Sequence, residues 1–165
     1  MTWTPPPLKT AHLDLLALTG EPPEDFKNRE DDLHGLSGLP SNWTIFLKGS
    51  EEGIGSIGYI RWERDLALAE LGFILKHSER RRGYMEEACR AVIAFGFSLM
   101  ALNIVEGRSL LKNVASSGLL EKVGLKKTGR VSARLSQKGA SVDLEVYRLY
   151  ASDLSWSRPS IPGSM

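Results

Sequence analysis

Arg80, Arg81 and Arg82 stand in a row directly before Gly83, and a long run with apolar residues at helical spacing follows. Those residue types in that order suit the binding of an anion. Guanidinium groups hold phosphate or carboxylate oxygens through paired N–H donors. A glycine lets the backbone come close to a ligand where a Cβ would intervene. A helix start adds N–H groups without intrahelical partners, and the helix dipole favours negative charge there. The same residues also read as a solvated basic turn, because charge runs generally face water. Groups able to move protons lie nearby in sequence: Glu70, Glu106 and the adjacent Ser116 and Ser117, with His12, His34 and Tyr147 further off.

The elements that must position these residues can be read from the hydrophobic pattern. Residues from His12 to Leu18 alternate, with Leu13, Leu15 and Ala17 on one side. The polar stretch from Glu21 to Pro40, broken by Pro22, Pro23, Gly35 and Gly38, predicts one or two short helices. Strands are expected at Trp43–Lys48, Ile54–Trp62 and Ala67–Leu75, joined by turns at Glu51–Gly53 and Arg64–Asp65, which makes an antiparallel meander. The period then changes. Between Gly83 and Met100, Ala88, Val92, Phe95 and Leu99 recur at helical spacing, and Glu86 and Glu87 complement the dipole in the first turn. A strand at Ile104–Arg108, a helix at Val114–Val123 stopped by Gly124, and strands at Lys126–Leu135 and Val142–Tyr150 complete the pattern. The fold class is α/β or α+β: a mixed, mostly antiparallel sheet of about seven strands flanked by about four helices.

Composition bounds the function. The 165 residues, 42% hydrophobic and 25% charged, fit one soluble globular domain with a proper core. A net charge of +1 argues against a dedicated nucleic-acid binder. Lys126, Lys127, Arg130, Arg134, Lys138 and Arg148 outnumber Asp143 and Glu145 near the end, yet without an aromatic stacking pattern. A lone cysteine, Cys89, points to a reducing compartment, and no apolar run reaches the length of a membrane span. The start has no signal-peptide pattern, so a cytoplasmic location is expected. Residues 1–7 and 157–165 read as poorly ordered tails around a single domain at 8–156.

The run Arg80-x-x-Gly83-x-Met85 resembles the Q/R-x-x-G-x-G/A signature of the GNAT superfamily, the Gcn5-related N-acetyltransferases, with Met85 departing at the last position. Gly83-Tyr84-Met85 followed by Glu87-Ala88 is similar to the RimJ/RimL-like branch, the ribosomal-protein N-terminal acetyltransferase-like enzymes. Asn113-Val114-Ala115-Ser116 through Glu121-Lys122-Val123-Gly124-Leu125 resembles that branch's Asn-x-x-Ser helix ending in Glu-Lys-x-Gly-Phe, with Leu125 for Phe. Thr10-Ala11-His12-Leu13-Asp14-Leu15 resembles its Thr-x-Arg-Leu-x-Leu opening, and Val142–Tyr147 its closing strand. Four blocks stand in order over almost the whole chain.

The resemblance implies acetyl-CoA as cosubstrate, no metal, and a primary amine as acceptor, either a protein N-terminus or a small molecule. It implies two parallel central strands, Ala67–Leu75 and Ile104–Arg108, splayed to admit the thioester. The N–H of Phe73 would polarise the acetyl carbonyl, and the segment through Ile74 and Leu75 would hold the pantetheine arm. Arg80, Arg81, Arg82, Gly83, Tyr84 and Met85 would hold the pyrophosphate, and Asn113 the thiol end, although Asn113 is equally a helix cap. Ser116 would protonate the departing thiolate, with Ser117 one register away. Glu70 is the first choice for general base and Glu106 the second; Glu70 also reads as a polar residue on the exposed side of a strand. Trp43 and Trp62 line the acceptor cleft or fill the core. A competing reading is an acyl-CoA-binding sensor without turnover. The expected assembly is a monomer or homodimer.

Overall fold

The computed structural model describes residues 5–17, 43–134 and 141–154. Eight strands form one sheet: β1 (Leu8–Lys9), β2 (Leu13–Ala17), β3 (Trp43–Leu47), β4 (Gly53–Glu63), β5 (Leu68–Leu75), β6 (Ile104–Leu110), β7 (Lys126–Arg134) and β8 (Ser141–Tyr150). Their spatial order is β1-β2-β3-β4-β5-β6-β8-β7. The described residues also hold two α-helices, α1 (Tyr84–Leu99) and α2 (Val114–Lys122), and 3-10 turns at Arg64–Leu66, His77–Glu79 and Ala151–Asp153.

The mixed, mostly antiparallel sheet is the expected one, with eight strands rather than seven. The extra strand is the two-residue β1, whose Leu8 pairs with Leu15 and is buried. Two α-helices stand against the four expected; the short helices expected between Glu21 and Pro40 fall outside the described residues. Pro5 and Pro6, assigned to a loose tail, are packed: Pro5 is buried, and the Pro6 carbonyl accepts a 2.8 Å hydrogen bond from the Trp43 indole.

Among the described strands only β5 and β6 run parallel, because α1 crosses between them and returns the chain to its starting direction. The helix buries Ala88, Cys89, Val92, Ile93 and Phe95 against one face of the sheet, as its spacing predicts, while Leu99 is 42% exposed. Phe95 meets Trp43 edge to face with ring centroids 5.1 Å apart, so Trp43 is a core residue. Burying each such ring stabilises the fold by roughly 1.5–3 kcal/mol. Trp62 is only half buried and carries the Arg64 guanidinium 4.2 Å above its ring. The helix α2 packs on the same face through Leu120, and Gly124 closes it with hydrogen bonds from Gly124 and Leu125 N–H groups to Glu121 and Leu120 carbonyls.

Candidate functional site

The two parallel strands pair only from Leu68–Ile104 to Leu71–Gly107. Beyond that level β5 continues against β4 up to Leu75, and β6 continues against β8 up to Leu110. A gap therefore opens between them at their carboxyl ends. Alternation fixes which backbone groups face it. The Ala67 carbonyl accepts from Asn103 and Ile104 on the β6 side, whereas Lys76 N–H donates to Ile54 on the β4 side. Odd-numbered residues of β5 thus direct their N–H and C=O toward β6, and even-numbered ones toward β4. Phe73 and Leu75 face the gap with their backbone groups; Ile74 pairs with Ser56 and does not. Ile74 reaches the site only through its side chain, on the sheet face opposite α1.

At the end of β5 the chain makes the His77–Glu79 turn and enters the arginine loop. Arg80 folds back so that its Nε donates to the Leu75 carbonyl at 3.2 Å, which ties the loop to the strand end beside the gap. Arg81 and Arg82 are exposed. Arg81 has φ +66° and Gly83 φ +82°, both in the left-handed region. Gly83 is the N-terminal cap of α1, and a Cβ added there would meet nothing within 4 Å. Glycine is required by its backbone conformation and not by crowding within the chain. The first intrahelical bond of α1 runs from Glu87 N–H to the Gly83 carbonyl, so the N–H groups of Tyr84, Met85 and Glu86 precede the helical ladder. Together with the left-handed residues they make a concave set of donors suited to an anion. The Met85 side chain is buried in the core, which leaves its N–H for the loop.

The second helix begins at the end of β6. Asn113 caps it, its Oδ1 accepting from Ser116 N–H at 3.1 Å, and the buried Ser109 hydroxyl donates to the Asn113 carbonyl at 3.3 Å. Both helix starts therefore flank the gap. The two serines are distinguishable. Ser117 Oγ donates to the Val114 carbonyl at 3.2 Å and lies against Tyr147 on the β8 side. Ser116 lies one turn before Leu120, on the stripe of α2 that faces the sheet. Tyr147 is buried with its hydroxyl donating to Glu145 Oε2 at 3.0 Å; burial and the neighbouring carboxylate push its phenol above the ordinary value.

The opposite sheet face holds a cluster of charges. Glu70 and Glu106 are register partners, 4% and 1% exposed. Glu106 Oε1 accepts from Arg61 at 2.8 Å and Arg108 at 2.9 Å, and its Oε2 from Arg148 at 3.1 Å. Glu70 Oε1 lies 3.4 Å from Arg61 Nε and 3.5 Å from Arg108 Nε. Glu63 pairs with Arg61 at the exposed rim. Glu70 is thus a buried member of an ion-pair network, and not on an exposed side. The three arginines escaped the sequence reading; the Glu106-x-Arg108 spacing, which puts both on one face of a strand, was the available signal.

His12, weighed as a base, is engaged elsewhere. Its ring Nδ1 lies 2.8 Å from Glu87 Oε1, its N–H donates to Glu87 Oε2 at 2.9 Å, and the Thr10 hydroxyl donates to the same oxygen. This ties the β1–β2 turn to the first turn of α1. His34 falls outside the described residues. Burial pushes the Cys89 thiol well up. Among the described residues no three His, Cys, Asp or Glu side chains are grouped to hold a metal, and no helix is long and apolar enough to cross a membrane.

Comparison with known proteins agrees with this architecture. The sequence model of the acetyltransferase (GNAT) domain matches residues 3–126. The uncharacterized N-acetyltransferase p20 of Bacillus licheniformis is 27% identical over 114 residues, which cover 69% of this chain and 64% of that protein. The chain thus spans less than two thirds of that relative's length. Among solved structures, the ribosomal-protein-S5-alanine acetyltransferase of Vibrio fischeri superposes with a TM-score of 0.62 at 21% identity, over 69% of this chain and 63% of that one. The microcin C7 self-immunity acetyltransferase MccE, solved with acetyl-CoA and AMP, gives 0.59 at 18% identity, over 66% and 59%.

Proposed function

Because the chain belongs to the GNAT acetyltransferase family by its match over residues 3–126, we propose that it moves the acetyl group of acetyl-CoA to a primary amine by direct attack in a ternary complex. The observation that carries this reading is the gap past Leu71 and Gly107, bordered by the backbone of Phe73 and Leu75 and by the start of α1.

A thioester carbonyl seated at the gap would accept from the Phe73 N–H, a fixed donor placed where negative charge develops as the amine attacks. The Leu75 N–H would hold the pantetheine arm, and the donors from Arg81 to Met85 the pyrophosphate, with Arg80, Arg81 and Arg82 supplying charge. When the carbon–sulfur bond breaks, the thiolate takes a proton from Ser116, near the Asn113 cap, and Ser116 regains one from solvent. Glu70 was the sequence's candidate base. Its carboxylate is engaged by Arg61 and Arg108, at 3.4 and 3.5 Å. That setting favours a positioning role for Glu70 and release of the amine proton to water. The likeness to the RimJ/RimL-like branch, and the fold shared with an S5-alanine acetyltransferase, support an amine acceptor of the N-terminal or small-molecule kind.

Thiol release tests the reading. Acetyl-CoA should yield free thiol steadily once a suitable amine is added and not before. Coenzyme binding without turnover across a broad amine panel would instead favour a sensor.

A further inference from the structure

On the sheet face opposite α1, the register sets Gly58 of β4 beside Gly72 of β5. Neither carries a side chain; Gly58 is buried and Gly72 partly exposed, so the sheet floor beside the gap is free of side chains at this level. Along β5 the floor is bounded by Ile74 and Glu70, on the order of 13 Å apart at the usual rise of a strand. Along β4 it is bounded by Ser56 and, past the irregularity at Tyr59–Arg61, by Arg61. The coenzyme loop lies at the start of α1, so an acceptor would meet the thioester from this other face.

Two observations describe what the floor would take. The first is Arg108, which follows Gly107 and stands level with Gly72. Its Nε reaches Glu106 Oε1 at 2.9 Å and Glu70 Oε1 at 3.5 Å, which lays the guanidinium toward β5. Among the described residues these are its only ionic partners, so its two terminal nitrogens are left to present a fork of donors. Arg61 differs, with all three nitrogens on carboxylates. The second is Ser56, 4% exposed, whose Oγ is buried without a hydrogen-bond partner. A buried hydroxyl in that state is costly and awaits a ligand group.

The geometry points to an acceptor that carries one carboxylate beside its amine, that is, an α-amino acid. Its carboxylate pairs with the terminal nitrogens of Arg108, which match a carboxylate in plane and spacing. Its amine lies over Gly72 and faces Phe73, and a polar group reaches Ser56. The charge balance favours a monoanion. Arg61, Arg108 and Arg148 are matched by Glu63, Glu70 and Glu106, so a dianionic phosphate would press on these carboxylates harder than a monoanion held by the Arg108 fork. In the step itself the acetyl carbon–sulfur bond breaks and a carbon–nitrogen bond forms. The products are an N-acetyl amino acid and free thiol, and the proton lost by the amine goes to solvent. This inference rests on the acetyl-transfer reading above and names its substrate class.

The test measures thiol release at saturating acetyl-CoA with a panel of α-amino acids, each matched with its own α-carboxamide and its decarboxylated amine. The acid member of the best set should exceed its two partners by about tenfold or more in kcat/KM, the scale of one good paired contact. Arg108→Gln should erase that preference mainly through KM, bringing the acid to the level of its carboxamide. Arg108→Lys keeps the charge beside Glu106 and Glu70, guards against misfolding, and should lose most of the preference with the melting temperature retained. Equal use of acid, amide and amine, a preference for phosphate-bearing amines, or an unchanged preference in Arg108→Lys would overturn the carboxylate assignment while acetyl transfer stands. Absence of thiol release with every amine, with acetyl-CoA bound, overturns the acetyl-transfer reading and this one with it.

Discussion

Leu71 and Gly107 form the last pair between the parallel strands β5 and β6, and Gly107 lies directly beneath Leu120 of α2. A Cβ at Gly107 would meet Leu120 Cδ2 at 2.6 Å and Leu125 Cδ2 at 3.3 Å. Gly107→Ala should therefore push α2 off the sheet and destabilise the fold by about 1–3 kcal/mol, the usual range for overpacking. Urea denaturation at unchanged m-value reads this directly. A wild-type midpoint would mean that the helix yields without cost.

The backbone conformation of Gly83 separates function from packing. At φ +82°, an added Cβ meets nothing but strains the chain by roughly 1–2 kcal/mol. Gly83→Ala should weaken acetyl-CoA binding by about tenfold, the affinity equivalent of that strain. Gly118, inside α2 and also with open space around it, is the control. Gly118→Ala should leave binding unchanged and raise stability by about 0.5–1 kcal/mol. Titration calorimetry on both variants distinguishes the two.

Acid should loosen the tie between the β1–β2 turn and α1. Burial alone would raise the Glu87 carboxyl, but hydrogen bonds from Thr10 and from the ring and backbone of His12 outweigh it and hold it below the ordinary value. A carboxyl depressed in the folded state contributes stability above its unfolded value, about 4.3, and loses it as pH falls through the folded value. Wild type should exceed Glu87→Gln in stability at neutral pH, and the difference should close below about pH 4. Denaturation of both proteins across that range checks the sign; a constant difference would contradict it.

Ser116 and Ser117 should behave differently although they adjoin. Ser116→Ala is expected to lower kcat by about a hundredfold, the low end for loss of a general acid, because a thiolate leaves readily. Ser117→Ala removes a hydroxyl already bonded to the Val114 carbonyl and should stay within about twofold of wild type. Rapid-quench measurement of the first turnover separates this chemical step from product release.

Much of this site was legible because its signals are local. The apolar spacing from Met85 to Phe95, the acidic first turn and a glycine before the helix all lie within one element, so α1 and its loop were found where they stand. The strand β1 was missed because its two residues become a strand only by pairing with Asp14 and Leu15. The burial of Glu70 was missed for the same kind of reason. Its partners Arg61, Glu106 and Arg108 come from two other strands, and a one-residue irregularity in β4 turns Arg61 toward it. The different settings of Ser116 and Ser117 depend on Tyr147, which comes from a distant strand. Contacts set by register between separated segments leave no trace in local periodicity.

Titration of the chain with acetyl-CoA by calorimetry, in parallel with its melting temperature, tests the central claim most directly. The account predicts one site per chain, displaced by free coenzyme A, weakened by salt as a pyrophosphate contact requires, and accompanied by a rise in melting temperature that grows with ligand concentration. No heat and no thermal shift at millimolar acetyl-CoA would contradict it.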